Sequence, residues 1–225
     1  MSGTDGTTAL VVGANRGIGL ELARQLGDRG FRVVAACRKS SPELEATGAE
    51  VHGGVDVTDP ASLRALSDRL AAGSVDWLLV VAGILRRDGL DGFDPDSVRD
   101  QFEVNALGPL QTTVALRDRL APGAKIGLLT SRMGSIEDNT SGGMYGYRMS
   151  KAALNMAGKS LALDLKSGGI SVAILHPGFV RTEMTGGSGH IDAEESASGL
   201  IERMDALTLE NSGSFWHQSG EFLPW

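Results

Sequence analysis

Residues Ala9-Leu10-Val11-Val12-Gly13-Ala14-Asn15-Arg16-Gly17-Ile18-Gly19 decide how the rest of the chain is read. The apolar, β-rich start predicts a buried strand, and Ile18, Leu20, Leu22, Ala23 and Leu26 then recur at the spacing of an amphipathic helix. Three glycines occupy the joint. The chain there must turn sharply, let a pyrophosphate approach the backbone, and pack the new helix closely on the sheet. The free N–H groups at the helix start, reinforced by the helix dipole, then make an anion site. The stretch reads as the phosphate cradle of a dinucleotide.

Size and composition agree with a protein built around that turn. A chain of 225 residues fits one α/β domain over residues 1–225, with no room for a large second one. A net charge of −7, with no basic block to offset it, argues against a nucleic-acid partner. The single cysteine, Cys37, lies in an apolar run with no histidine near it in sequence, so it reads as a buried structural thiol in a reducing compartment. The polar N-terminal stretch has no apolar leader, and no apolar run reaches membrane-spanning length. A soluble, cytoplasmic protein without a membrane partner is expected.

Further strands are predicted over residues 31–37, 49–53, 76–82, 125–130 and 170–175, with a seventh at Phe215-Trp216. At the end of the second strand of such folds an acidic residue takes the ribose 2′-hydroxyl, whereas an arginine accommodates a 2′-phosphate. The acid is missing here and Arg38 stands about twenty residues past the glycines. Arg16 adds a second guanidinium, so the pattern favours NADP(H) over NAD(H). Thr58 or Asp59 caps a helix that has Pro60 at its first position. Asp94-Pro95 opens a long helix with apolar positions through Val98, Phe102, Leu107, Leu110, Val114 and Leu120, and Gly108-Pro109 predicts an irregularity next to Asn105.

Two later positions carry chemistry. Ser131 follows the fifth strand, at the sheet end where ligands of open α/β folds gather, with Ser135 as the fallback hydroxyl. Tyr147 and Lys151, four apart in a predicted helix, lie on one face. An ammonium beside a phenol is expected to draw its pKa down from about 10 toward the working range. Tyr145 is six residues from Lys151, turned about 240° away, and does not share that face.

The glycine spacing with Arg16 inside it, followed in order by Asn105, Ser131 and Tyr147-x-x-x-Lys151, resembles the short-chain dehydrogenase/reductase family and its TGxxxGIG signature. The resemblance implies an α/β Rossmann domain, doubly wound, with a seven-stranded mainly parallel sheet in the order 3-2-1-4-5-6-7 and helices on both faces. It also implies hydride transfer between a nicotinamide and a small-molecule carbonyl or alcohol. Catalytic roles carry over to Asn105, Ser131, Tyr147 and Lys151, and no metal is implied. Cofactor contacts carry over to Gly13, Asn15, Arg16, Gly17, Ile18, Gly19, Arg38, Val57, Ala82, Gly83, Tyr147 and Lys151. Asp56 resembles the family's adenine-contacting aspartate and equally suits a turn. His176-Pro177-Gly178-Phe179-Val180-Arg181-Thr182 resembles the segment that bonds the nicotinamide amide, through Pro177, Gly178, Val180 and Thr182, while His176 reads as structural. The segment that follows is short and glycine-rich, implying an open pocket that Met133, Met144, Met149 and Met184 could line.

Two departures stand out. Val12 replaces the family's usual threonine, and Val80-Val81-Ala82-Gly83 replaces Asn-Asn-Ala-Gly. Losing both polar partners together is close to neutral where losing one is costly, so Val12 is expected to pack on Val80 or Val81. Ser131-Arg132-Met133-Gly134-Ser135, Asp138-Asn139-Thr140-Ser141-Gly142-Gly143 and the ending from Gly213 to Trp225 look like the compact C-factor and sniffer-type carbonyl reductase branch. That branch leaves a second reading open, a cofactor-binding signalling protein with little turnover. An epimerase is disfavoured by the missing C-terminal domain, and a cofactor-free dehalogenase by Lys151 and the glycine turn. Family members commonly pair through the helices bearing Asn105 and Tyr147, so a homodimer or homotetramer is compatible with the chain, as is a monomer.

Overall fold

The computed structural model describes residues 6–225; the first residues of the polar N-terminal stretch lie outside the described ones. Strand β1 (Thr8–Val12) is buried throughout and feeds α1 (Gly17–Asp28), whose Leu22, Ala23 and Leu26 face the sheet. β2 (Arg32–Ala36), the single turn α2 (Pro42–Glu45) and β3 (Glu50–His52) follow. Helix α3 (Pro60–Asp68) is capped by Asp59 rather than Thr58, its carboxylate accepting the Ala61 N–H at 2.8 Å. Next come β4 (Val75–Val80), α4 (Pro95–Phe102), a π-helical turn (Glu103–Leu107) and α5 (Gly108–Leu116). The chain continues through β5 (Leu120–Leu129), α6 (Tyr145–Asp164), β6 (Ser171–His176), α7 (Ala193–Ala206) and β7 (Phe215–His217).

One sheet takes all seven strands in the order β3-β2-β1-β4-β5-β6-β7, and every pairing is parallel. This is the Rossmann-type order expected. Alternate strand residues feed two apolar layers. Leu10, Val34, Leu78 and Ile126 pack with Leu63, Leu116 and Leu154 of α3, α5 and α6. Ala9, Val11, Val33 and Leu79 pack with Leu22 and Leu26 of α1 and with Leu200 and Met204 of α7. β1 therefore lies where the winding reverses, between β2 and β4, and a crevice opens above its C-terminal end.

One boundary needs correction. Leu120 does not end the helix that Asp94 starts: α5 closes at Leu116, and Leu120 begins β5, pairing across from Val75. The 3.6-residue spacing ran on by coincidence into a strand whose first residues are also apolar.

Val12 and Val80 are register partners on adjacent parallel strands and belong to the same apolar layer, both 1% exposed, whereas Val81 packs into the opposite layer. The paired departure from the family pattern thus resolves into one dry contact. Restoring a single polar partner, Val12→Thr, is expected to lower unfolding free energy in urea by roughly 1–3 kcal/mol, because the hydroxyl is buried where a valine methyl was packed; an unchanged urea midpoint would contradict this packing.

Candidate active site

A groove of about 600 Å³ runs along the C-terminal ends of the central strands. Its floor begins at the glycine turn. Gly13 adopts φ +97°, and a Cβ placed on it would stand 2.6 Å from the Ala82 nitrogen. A Cβ on Gly19 would stand 2.1 Å from the Gly13 carbonyl oxygen. No larger residue fits either place. The Val12 carbonyl accepts N–H groups from Val81 and Ala82, and the Ala36 carbonyl accepts those of Gly13 and Ala14, which ties the turn to both neighbouring strands. Arg16 occupies the N-cap of α1 without a side-chain capping bond, so the first amides of the helix remain available to an anion.

Beside the turn the groove is bordered by Asn15, Arg16, Gly17, Ile18, Arg38 and Lys39. Asp56 also borders it and settles both of its readings at once. Its Oδ1 accepts the Thr58 N–H at 2.9 Å and the Thr58 hydroxyl at 2.8 Å, and the Thr58 backbone N–H above all holds its carboxyl below the usual range. Val57, Ala82 and Gly83 continue the wall. Cys37 reaches the groove edge but is 3% exposed, and burial pushes its thiol pKa up, in keeping with a structural role.

The far end is closed by α6. Its entry is set by the loop after β4: the Asp88 carbonyl accepts the Met144 N–H at 3.1 Å and the Asp88 carboxylate accepts the Gly146 N–H at 2.8 Å. Met144 is held in the left-handed region at φ 54°, which turns the chain directly into the helix. Tyr147 and Lys151 then face the groove together, with the Lys151 nitrogen 5.8 Å from the Tyr147 ring centroid and donating to the Leu129 carbonyl at 2.9 Å. Tyr145 lies outside the groove. Ser131 is buried; its hydroxyl accepts the Met133 N–H at 3.1 Å and shares a hydrogen bond with the Tyr147 side chain.

Asn105 sits in the π-helical turn, the irregularity that Gly108-Pro109 signals. The extra residue in that turn aims its amide at the strand end. Its Oδ1 accepts the Ile84 N–H at 2.8 Å, and its Nδ2 donates to the Ile84 carbonyl at 2.9 Å and to Ser150 at 3.0 Å. The Asn105 Oδ1 and the Lys151 nitrogen lie 3.2 and 3.6 Å from the point a Cβ on Gly83 would occupy, so Gly83 keeps the space between them open.

Electrostatics correct one expectation. Lys151 does not draw the phenol down in this state. Burial pushes Tyr147 up to about 12, with the Ser131 hydrogen bond opposing, and burial pulls Lys151 down to about 7. Removing both groups from water favours their neutral forms more than their proximity favours an ion pair. The proton is therefore held on the phenol, the form an acid needs.

Of the residues singled out by sequence, Gly13, Asn15, Arg16, Gly17, Ile18, Gly19, Arg38, Asp56, Val57, Ala82, Gly83, Tyr147, Lys151, Pro177 and Thr182 border the groove. Asn105 and Ser131 stand behind it on the bonds described above. Gly178 and Val180 do not border it; Val180 is 3% exposed and its carbonyl accepts the Thr185 hydroxyl at 2.9 Å. Among the methionines only Met184 reaches the groove, and Met149 is 56% exposed. Residues that sequence reasoning passed over include Ile84, Leu129, Thr130 and Glu183. Strand-end position would have found Thr130, whereas Glu183 carries no local signal. His176 stacks on His217 at 5.1 Å, and burial first, then His217 and Arg132, lower its pKa to about 3, so it stays neutral at physiological pH.

A family model described as short chain dehydrogenase matches residues 7–191. The chain belongs to the short-chain dehydrogenase family. Members of this family of oxidoreductases include a Rhodococcus sp. (strain AD45) protein named 1-hydroxy-2-glutathionyl-2-methyl-3-butene dehydrogenase, 48% identical over 97% of this chain and 100% of its own length. The C-signal protein of Myxococcus xanthus is 41% identical over 72% of this chain and 100% of its own length. Among solved structures, the NADPH-bound carbonyl reductase from chicken fatty liver superposes with a TM-score of 0.90 at 28% identity, covering 98% of this chain and 100% of that one. Among the described residues of this short-chain dehydrogenase family member, no helix is long and apolar enough to cross a membrane, and no group of His, Cys, Asp and Glu could hold a metal ion.

The buried amine has a measurable signature. Folding lowers the Lys151 pKa from 10.5 to about 7, so between those values the unfolded chain binds more protons and stability rises with pH. Tyr147 acts in the opposite sense above its ordinary value of 10.0, where the unfolded phenol ionises first. Between about pH 7 and pH 9.5 the thermal midpoint of the wild type should gain on that of Lys151→Met; parallel curves would mean that the amine is not buried as described.

Proposed function

We propose that the protein is an NADP(H)-dependent oxidoreductase that interconverts a ketone or aldehyde and its alcohol, with Tyr147 as proton donor in the reducing direction. One observation carries the reading: a single groove joins an uncapped helix N-terminus at the glycine turn to a protonated phenol beside a lysine. The donor set fits a dinucleotide. Backbone amides of α1 would take the pyrophosphate, Arg38 and Arg16 the 2′-phosphate, Asp56 and Val57 the adenine, and Ala82, Gly83 and Lys151 the nicotinamide ribose, with Tyr147 alongside. Pro177 and Thr182 would meet the nicotinamide end, where Gly178 shapes the turn and Val180 offers its backbone. When bound, the cofactor supplies hydride exchange at nicotinamide C4.

The chain's own residues do the rest. Ser131 would hydrogen-bond the carbonyl oxygen and hold the Tyr147 hydroxyl toward it. Lys151 would restore the proton to Tyr147, and Asn105 would hold a water in the space beside Gly83 that leads to Lys151. The chicken carbonyl reductase is described with NADPH bound, which supports the cofactor assignment. The Rhodococcus relative is named for an alcohol bearing a glutathionyl group. The lid here is a single turn, Glu183–Thr185, with Met184 half exposed, and a mouth that open suits a substrate with a bulky substituent.

The C-signal relative favours a second reading, a signalling protein that binds the cofactor with little turnover. A panel of activated ketones, aldehydes and hydroxyalkyl glutathione conjugates, assayed with NADPH and NADH side by side, separates the two. The enzyme reading expects faster turnover with NADPH and a loss of about 10²–10⁴-fold in Tyr147→Phe. Tight NADPH binding with no turnover across the panel would favour signalling.

A further inference from the structure

We propose that Glu183 is a built-in competitor for Arg16, and so limits how strongly the groove distinguishes a 2′-phosphorylated dinucleotide from an unphosphorylated one. The inference rests on the cofactor reading above and goes beyond it. Arg16 and Glu183 both border the groove, one from the glycine turn and the other from the lid, and they form an ion pair across it. They are 167 residues apart in sequence.

Both ends of the pair are held. Arg16 is extended at the N-cap of α1, with φ −162°, and its side chain does no capping. The backbone beside it is tied toward the end of β2, where the Ser41 hydroxyl donates to the Asn15 carbonyl at 2.9 Å. Glu183 opens a 3-10 turn pinned on either side. The Thr182 N–H donates to the Thr185 hydroxyl at 3.1 Å, that hydroxyl donates to the Val180 carbonyl at 2.9 Å, and the Gly186 N–H donates to the Glu183 carbonyl at 3.0 Å. Thr182 also closes on the glycine turn, its Cγ2 lying 3.5 Å from the point a Cβ on Gly17 would occupy. The lid carboxylate is therefore presented to Arg16 by a braced turn.

A guanidinium is a planar donor that engages one carboxylate or phosphate face well at a time. Arg16 stands between the lid and the β2 end. A 2′-phosphate near Arg38 and Lys39 must draw Arg16 away from Glu183 or be met by those two cations without it. The unphosphorylated dinucleotide makes no such demand. Glu183 thus weakens the phosphorylated ligand selectively, acting through Arg16. The pair is exposed, at 61% and 76% for the two side chains, so the effect amounts to a few-fold change rather than decades.

The test is a double-mutant cycle read by calorimetric or fluorescence titration with NADPH and NADH on wild type, Glu183→Gln, Arg16→Ala and the double variant. Glu183→Gln is expected to tighten NADPH about three- to fivefold and leave NADH unchanged. The gain should shrink at high salt and vanish in the Arg16→Ala background. An equal change for both dinucleotides, no change for either, or a gain that survives without Arg16 would each overturn the competitor role. Arg38→Ala keeps the two levels distinct. If it lowers the NADPH to NADH preference while Glu183→Gln does not raise it, the competitor role alone fails. If the wild type shows no preference and Arg38→Ala changes nothing, the cofactor reading fails and the proposal with it.

Discussion

Backbone meets backbone at the glycine turn, and the rest of the site depends on that contact. With Gly13 against Ala82 and Gly19 against the Gly13 carbonyl, α1 starts directly above the end of β1 rather than a side chain's width away. The same few residues pin β1 to β2 through the Ala36 carbonyl and to β4 through the Val12 and Val81 backbone. The crevice where the sheet reverses its winding therefore has a floor of main chain and a helix N-terminus for one wall. The polar side chains that the family usually places under this floor are dispensable here because Val12 and Val80 fill the space as a dry pair.

At the opposite end the governing quantity is hydration. Tyr147 and Lys151 share a face of α6, but both are buried, and burial moves their pKa values apart, up for the phenol and down for the amine. The pair is poised with the proton on oxygen and an amine near neutrality beside it. Ser131 and Asn105 are placed by backbone devices, the strand end at Thr130 and the π-helical turn after α4, so the four groups converge from three separate elements. Asp88 adds a fourth tie by fixing where α6 begins.

Features written in local spacing were legible from the sequence. The glycine turn, the seven strands and the Tyr147–Lys151 face depend on residues a few positions apart, and periodicity or conformational need reveals them. Asn105 was legible because Gly108 and Pro109 mark an irregular helix. What escaped was non-local. Leu120 kept helical spacing while lying in a strand, Glu183 meets Arg16 only through the closed fold, and the outward turn of Met149 depends on helix orientation. The direction of the Tyr147 shift escaped for the same reason, since desolvation is set by everything packed around the group rather than by its nearest charge.

The central claim, that an uncovered helix start at the glycine turn receives a dinucleotide phosphate, is tested most directly by titrating NADPH into the wild type and Gly17→Ala while far-UV circular dichroism monitors the fold. Gly17 has φ +52°, and its added methyl would point into the cradle toward Thr182. The account predicts one saturable NADPH site in the wild type and at least roughly tenfold weaker binding in a folded Gly17→Ala, about the cost of a left-handed alanine plus lost phosphate contacts. A folded variant that binds NADPH as tightly as the wild type, or a wild type that binds none, would contradict it.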